Sequence, residues 1–397
     1  MEQAVATASQ ATIPAWVNRV RNEIPTTSES AYFLTGGIGP SPTPVIEKVK
    51  ELLDLQNLGP GDPRINPRIA VVEEECRALA AAVLGADEEE VTLTHNTTEG
   101  LNIVIWSIDW KAGDEILISN HEHPALLQPS YNLHDRFGVV YRRAPMDVGE
   151  DVLGSVLGQI SPRTRLVAMS HVSRRNGRVL PARKLARELH KRGVRLLLDG
   201  AQAAGNIPLD FHDLGCDYYS FCGHKWLLGP KGTGGLLTRK EILATTPVSW
   251  TGAHSQAVIE DDGEYEWHPD GRRYEFGTRA LPVFGGFAET LRWLDKVGWD
   301  RIHARTADLS KRFSEWVRDS RRFQLISPLE DGSRSGVVSL KLPEGFLGMD
   351  FYERLAEKEG IVVAPLEDPR DIRVCVHFFN TWEEIDRLGV KLNEYCA

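Results

Sequence analysis

The chain has 397 residues, 42% hydrophobic and 26% charged, with 46 Lys+Arg against 56 Asp+Glu and a net charge of −10. Such an acidic balance excludes a general attraction to nucleic acid or to an anionic membrane surface, and the length predicts two or three folded units with a large core. Five scattered cysteines without a CxxC pair argue against a disulfide framework or a zinc ribbon, and with no apolar run of membrane-spanning length and no apolar core in the first twenty residues they predict a cytoplasmic protein.

In chain order, the first clear element is a helix carrying Ile69, Val72, Cys76, Leu79 and Val83 on one stripe, closed by Gly85; Cys76 reads as a core thiol. The acidic run Asp87–Glu90 reads as solvated surface, as does Glu260–Glu266. Short apolar runs then alternate with helix-like stretches: Val91–Thr94, Glu115–Ser119, Arg165–Ser170, Val194–Asp199 and Asp217–Phe221 are expected as buried strands. Between the third and fourth of these, "PARKLARELHKRG" opens at Pro181, places Leu185 and Leu189 one turn apart and stops at Gly193. Strand, helix, strand with short links is the βαβ unit, so the expected fold class is α/β with a mainly parallel sheet. After about residue 284 the pattern changes: two amphipathic stretches precede "GVVSLKL", "DFYERLAEKEG", "IVVA", "IRVCV" and a last helix from Thr381, which reads as a smaller α+β unit. The expected division is an N-terminal segment 1–44 at the active site, a large domain 45–283 and a small domain 284–397.

Functional groups of open α/β sheets gather at the carboxyl ends of the strands. There the chain has "HNTTEGLN" after the first strand, "HEHPALL" after the second, His171 after the third, Asp199 ending the fourth and Lys225 after the fifth. Thr97 and Thr98 stand at a helix N-terminus, where hydroxyls and free N–H groups either cap the helix or hold a phosphate. A carboxylate at a buried strand end, Asp199, requires a cationic partner, either a protonated pyridine nitrogen or an arginine. Lys225 lies between a histidine and a tryptophan; a free amine with a pKa near ~10.4 is a poor nucleophile, but as an imine with a carbonyl cofactor it anchors that cofactor and, once released, acts as a base. Phosphate donors, an acid for a pyridine nitrogen and an amine for an aldehyde together describe pyridoxal 5′-phosphate (PLP). The competing motifs are missing: "GPKGTGG" lacks P-loop spacing, no GxGxxG joins a strand to a helix, no GxSxG is present, and His121 and His123 alone do not make a metal site.

The ordered pieces "YFLTGGIGP", "NTTEGLN", "EHPA", "SHV…G…LP", "DGAQAAG", "GHKW…GP.GTGG", "RRYEFGT" and "IRVCVHFFNT" resemble the class V aminotransferase family of fold-type I PLP enzymes over nearly the whole chain. The resemblance implies that Lys225 bonds to the cofactor aldehyde and that Asp199 pairs with the pyridine nitrogen. It implies further that Gln202 reaches the 3′-oxygen with His171 nearby, and that His123 stacks on the ring. Thr97, Thr98 and His224 would hold the phosphate, and Thr278 would complete that site from a second subunit of a homodimer. Arg373 would grip the α-carboxylate of an amino-acid substrate. Cys222 stands where the family commonly has serine, so its phosphate contact is a weak one. Arg174, Arg175 and Asn176 replace smaller neutral residues, either to recognise a second acidic group on the substrate or as a solvated loop.

The subgroup most similar is the C–S lyases, through "GGIGP", "EHPA" and the short segment leading to Arg373 and Cys375. That likeness implies β-elimination from cysteine, cystine or an S-conjugated cysteine, yielding aminoacrylate and then pyruvate and ammonia, with Lys225 and His123 as the catalytic pair. A desulfurase needs a mobile thiol, whereas Cys375 falls on an expected strand. An isopenicillin N-type epimerase and a decarboxylating deaminase remain as alternatives, with a catalytically silent PLP-binding protein ranked after them.

Overall fold

A computed structural model describes residues 13–260 and 263–397, so the first part of the N-terminal segment and the middle of the Glu260–Glu266 cluster lie outside the described residues. Seven strands form the main sheet: β1 (Val91–Thr94), β2 (Glu115–Ser119), β3 (Val140–Ala144), β4 (Thr164–Ser170), β5 (Arg195–Asp199), β6 (Tyr218–Cys222) and β7 (Gly234–Thr238). Their order is β1-β7-β6-β5-β4-β2-β3; β7 runs antiparallel to both of its neighbours and every other pairing is parallel. The five expected strands are present within a residue of their predicted ends, and β3 and β7 are additional.

Alternation along each strand sends side chains to two apolar layers. Leu117, Val167, Met169, Leu196, Leu198, Tyr219 and Phe221 pack into one, while Ile116, Ile118, Leu166, Ala168, Leu197 and Tyr218 pack into the other. Covering both faces requires helices on both sides, which is why these strands read as unbroken apolar runs. The helix Asn66–Leu84 ends at Gly85 with φ 65°, a left-handed cap, and Ala182–His190 starts after Pro181, as expected.

A second core gathers around a four-stranded sheet of β8 (Gln324–Leu325), β9 (Val337–Lys341), β10 (Ala364–Pro365) and β11 (Asp371–Cys375), in the order β8-β9-β11-β10. The expected boundary at residue 284 falls inside one helix, Leu281–Val297, whose Phe284, Phe287, Leu291 and Leu294 pack into the core of the large sheet. The change of packing partner comes within the next helix, Trp299–Ser320: Ile302 still belongs to the large core and Leu309 to the small one. The N-terminal segment also joins both bodies. Val20 and Ile24 pack with the large core, Ala31 and Phe33 with the small one, and Ala31–Tyr32 pairs in parallel with Ile361–Val362.

Candidate active site

A cavity of about 350 Å³ opens where the carboxyl ends of β1, β4, β5 and β6 meet β11 and the N-terminal segment. Its lining includes Thr97, Thr98, His123, Arg174, Asp199, Gln202, Cys222, His224, Lys225 and Arg373, ten of the residues singled out from sequence. Two expected members are elsewhere. His171 is buried, turns Nδ1 to the Tyr219 hydroxyl at 3.1 Å and stands edge-on to that ring, while its backbone N–H donates to Asp199 O; it supports the strand end rather than facing the cavity. Thr278 is exposed and outside the cavity of this chain.

At one end of the cavity lies the N-terminus of the helix Thr97–Trp106. Asn96 caps it by accepting from Glu99 N at 3.0 Å, but the remaining first-turn N–H groups lack intrahelical acceptors. The buried Thr97 Oγ1 and His224 Nδ1 have no partner among the described residues. Burial, with Lys225 and Lys231 nearby, pushes the His224 imidazole down to about 4, so it is neutral and able to donate or accept. Cys222 lines the same end, and burial pushes its thiol up, which keeps it protonated. Buried polar atoms left without partners are costly, and together they fit an oxyanion such as a phosphate.

Asp199 closes the middle of the cavity. Its Oδ1 accepts from Ala201 N at 2.9 Å; burial raises the carboxyl, and this hydrogen bond with the Lys225 and Arg174 cations opposes the rise. Gln202 donates to Gly36 O at 2.7 Å and accepts from Trp226 Nε1 at 2.9 Å, leaving one amide N–H for the cavity. A side chain at Gly36 would meet Cys375 Sγ and Gln202 Oε1, both at 2.7 Å, so glycine lets the N-terminal segment form a wall here.

Lys225 leaves β6 on a tight turn. Leu228 N donates to Lys225 O at 3.0 Å, and Leu228 holds φ 57°, a conformation that costs a non-glycine residue energy and persists only where packing enforces it. That enforcement comes from the buried Trp226, whose carbonyl accepts from His377 Nε2 at 2.9 Å while its indole N–H donates to Gln202. Lys225 Nζ has no hydrogen bond or ion pair among the described residues. The amine therefore faces the cavity free.

His123 sits at the mouth as the cap of the helix Pro124–Phe137, its Nδ1 accepting from Ala125 N at 3.1 Å. Desolvation, with Lys225 and Arg174 adding repulsion, pushes its pKa down to about 4; the ring is neutral and its remaining proton lies on Nε2. Arg373 projects from β11 with Nη1 donating to Arg174 O at 3.3 Å and a buried Nε that has no partner among the described residues. His121, the other histidine of "HEH", is committed to Ser173 Oγ and Asp147 at 2.9 Å each.

Sequence reasoning missed four contributors: Gly37, Ser170, Glu122 and His377. Glu122 is fully buried behind the cavity. It accepts from Ser119 Oγ and, at 2.6 Å, from Ser170 Oγ; burial and the nearby Asp199 push its carboxyl up to about 7. The "HEH" triplet held the signal, but the reading weighed only its two histidines, setting metal binding aside for both, and passed over the glutamate between them.

A phosphate-sized cradle of orphaned donors, a buried carboxylate and an unpaired amine around one cavity on a doubly covered α/β sheet define a fold-type I PLP-dependent enzyme. The cradle fits the cofactor, and PLP is the cofactor of this class. The comparisons agree: the family model for aminotransferase class V matches residues 31–388, and the chain belongs to that family. Isopenicillin N epimerase from Amycolatopsis lactamdurans is 30% identical, covering 96% of this chain and 98% of that protein. A solved structure of the cystine C–S lyase C-DES in complex with its product cysteine persulfide has a TM-score of 0.87 at 29% identity, covering 93% of this chain and 98% of that one. The apo cysteine desulfurase from Thermococcus onnurineus NA1 also has a TM-score of 0.87, at 28% identity, covering 98% and 99%.

Proposed function

We propose that this protein is a C–S β-lyase acting on cysteine, cystine or an S-conjugated cysteine. The observation that carries the reading is one free amine, Lys225, sharing a cavity with Arg373 and Asp199 while both nearby thiols are immobilised. Cys222 and Cys375 are buried, lie on β6 and β11, and are held protonated by burial. A desulfurase function needs a thiol that attacks sulfur and carries it away; neither of these has the freedom.

PLP, when bound, supplies the electron sink that makes the substrate Cα–H bond acidic. Asp199 keeps a negative charge beside the heterocycle in a water-poor pocket, where such a charge acts strongly. Arg373 presents its planar fork, including the orphaned Nε, to the substrate α-carboxylate and so fixes which Cα bond faces Lys225. Lys225 Nζ takes the Cα proton and can return a proton to the departing sulfur. Neutral His123 covers the mouth and keeps water from the reacting carbons. Atoms balance: the Cα–H and Cβ–S bonds break, the thiol leaves with the proton, and the three-carbon remainder takes up water to give pyruvate and ammonia.

Purified holoenzyme given cystine or S-alkylcysteines is expected to release pyruvate and ammonia in equal amounts, and Lys225→Ala to lose about 10²–10⁴ of that rate. Pyruvate release is expected to survive Cys375→Ala. No pyruvate from any S-conjugate would overturn the lyase reading. The likeness to an isopenicillin N epimerase supports a second reading, and solvent deuterium entering Cα without sulfur release would select it.

The exposed position of Thr278, away from the cavity of its own chain, supports a homodimer in which it completes the partner's phosphate site. Five free cysteines, four of them buried, support a cytoplasmic location, and no described helix is long and apolar enough to cross a membrane.

A further inference from the structure

We propose that Arg174 is a specificity residue for a second anionic group at the far end of the substrate side chain, and that Glu367 occupies its guanidinium until such a group arrives. The inference rests on the proposed amino-acid lyase function, because it takes Arg373 as the α-carboxylate site.

Charge accounting at the cavity motivates it. Three cationic side chains, Lys225, Arg174 and Arg373, line the cavity against a single carboxylate, Asp199. The cofactor engages Lys225 and Asp199, and the α-carboxylate engages Arg373. Among the described residues Arg174 then has Glu367 as its ion-pair partner, and the same carboxylate also faces Arg175 Nε at 3.8 Å; the Arg174 side chain is 19% exposed and that of Glu367 is 53% exposed. A pair with one partner this open to solvent contributes little net stability, so a ligand anion can replace the glutamate at small cost.

The two partners differ in how far their side chains stand out into solvent. Arg174 stands on a pinned turn: Gly177 N donates to Ser173 O at 2.9 Å, Asn176 Nδ2 donates to Met146 O at 3.2 Å, and Ser335 Oγ donates to Gly177 O at 2.8 Å. Glu367 lies on the link between β10 and β11, whose backbone is hydrogen-bonded too, with Leu366 N donating to Asp371 O at 3.1 Å, but its side chain stands in solvent outside the cavity lining. The guanidinium, which lines the cavity, is thus the member that stays and the exposed carboxylate the one that swings aside. Position also fits, since Arg174 O accepts from Arg373 Nη1 at 3.3 Å, so a substrate held by Arg373 passes its side chain beside residue 174. A planar guanidinium suits a carboxylate, and neutral side chains gain nothing from it. The substrate class is therefore an amino acid whose side chain ends in a carboxylate or in a second amino-acid head group.

The test is equilibrium binding to holoenzyme, followed by calorimetry and by the visible absorbance of the cofactor. It uses two isosteric pairs, L-glutamate with L-glutamine and L-2-aminoadipate with its side-chain amide, none of which has a β leaving group. Wild type is expected to favour the anionic member of at least one pair by about tenfold. Arg174→Gln should bring that ratio near one, Arg174→Lys should leave it intermediate, and Glu367→Gln should raise it several-fold. Opposite shifts from the two glutamine variants are the signature of a displaced stand-in. A ratio unchanged by Arg174→Gln, or lowered by Glu367→Gln as for a mere structural clasp, would overturn the proposal. Since these ligands cannot eliminate, failure here leaves the lyase reading intact, and absence of pyruvate from S-conjugates leaves this ratio measurable.

Discussion

Glu122 and Asp199 are two buried carboxyls close enough to feel one another; burial raises both, and they differ in what opposes the rise. Asp199 has cations within reach, whereas Glu122 has only hydroxyls and one backbone N–H. The consequence for stability follows from linkage. Glu122 titrates at about 7 in the folded chain against an ordinary 4.5, so the folded protein holds a proton that the unfolded chain has already lost. Stability from this group therefore falls as pH rises from about 4.5 to about 7, with the full penalty, on the order of 3 kcal/mol, present above that range. Glu122→Gln keeps the acceptor for Ser170 and removes the titration. Thermal melts of this variant are expected to be flatter than wild type between roughly pH 5 and pH 7 and higher at the alkaline end. Parallel wild-type and variant profiles would show that Glu122 is ionised throughout.

At the scale of elements, the site depends on turns that bring backbone into contact with backbone. Gly39 N donates to His224 O at 2.7 Å, and a Cβ at Gly39 would overlap Lys225 O. Gly39→Ala is expected to shift the Lys225 turn and lower the rate by up to about 10²-fold, with reduced cofactor retention read from visible absorbance; full occupancy and rate would refute the contact. The same logic explains the strand that sequence pattern missed. β7 opens on two glycines and so lacks a strand-like start, yet a side chain at Gly235 would strike the Phe221 ring at 2.6 Å and one at Gly234 would meet Asn96 Cα at 3.1 Å. Glycine here marks close approach within a sheet rather than a turn. β3 escaped for the opposite reason: it is a mostly exposed edge strand without the apolar run that revealed the others.

Across the whole molecule, a buried charge cluster ties the "EFGT" segment to the large core. Arg77 Nη1 donates to Glu275 at 2.8 Å and to Val91 O at 2.7 Å, Arg279 reaches Glu275 at 2.8 Å, and Leu93 N donates to the same carboxylate at 2.7 Å. Removing the anion takes away the buried carboxylate that two largely buried guanidiniums share, leaving Arg77 with the exposed Glu74 at 3.5 Å and Arg279 with Glu73 at 2.5 Å. Glu275→Gln is expected to cost up to about 3 kcal/mol in denaturant unfolding. In the proposed homodimer this segment presents Thr278 to the partner, so light scattering of the same variant should show a shift toward monomer. A stable, wild-type-sized variant would separate the cluster from assembly.

Much of the site was legible because strand ends are marked locally: an apolar run stopping at Asp199, or a helix N-terminus after Val91–Thr94, is written in neighbouring residues. Ten expected residues do line one cavity. What neighbouring residues do not encode is direction and partnership. His171 follows its strand as predicted, but its ring turns to Tyr219. Arg174 meets Glu367 from 193 positions away, and His377 steadies the Lys225 turn from 151 away. The fold class and the cofactor chemistry rest on local periodicity and residue type, which the sequence alone determines. Which buried groups face the cavity, where one core ends and the next begins, and which carboxylate covers Arg174 depend on burial and long-range contacts, and only the tertiary structure decides them.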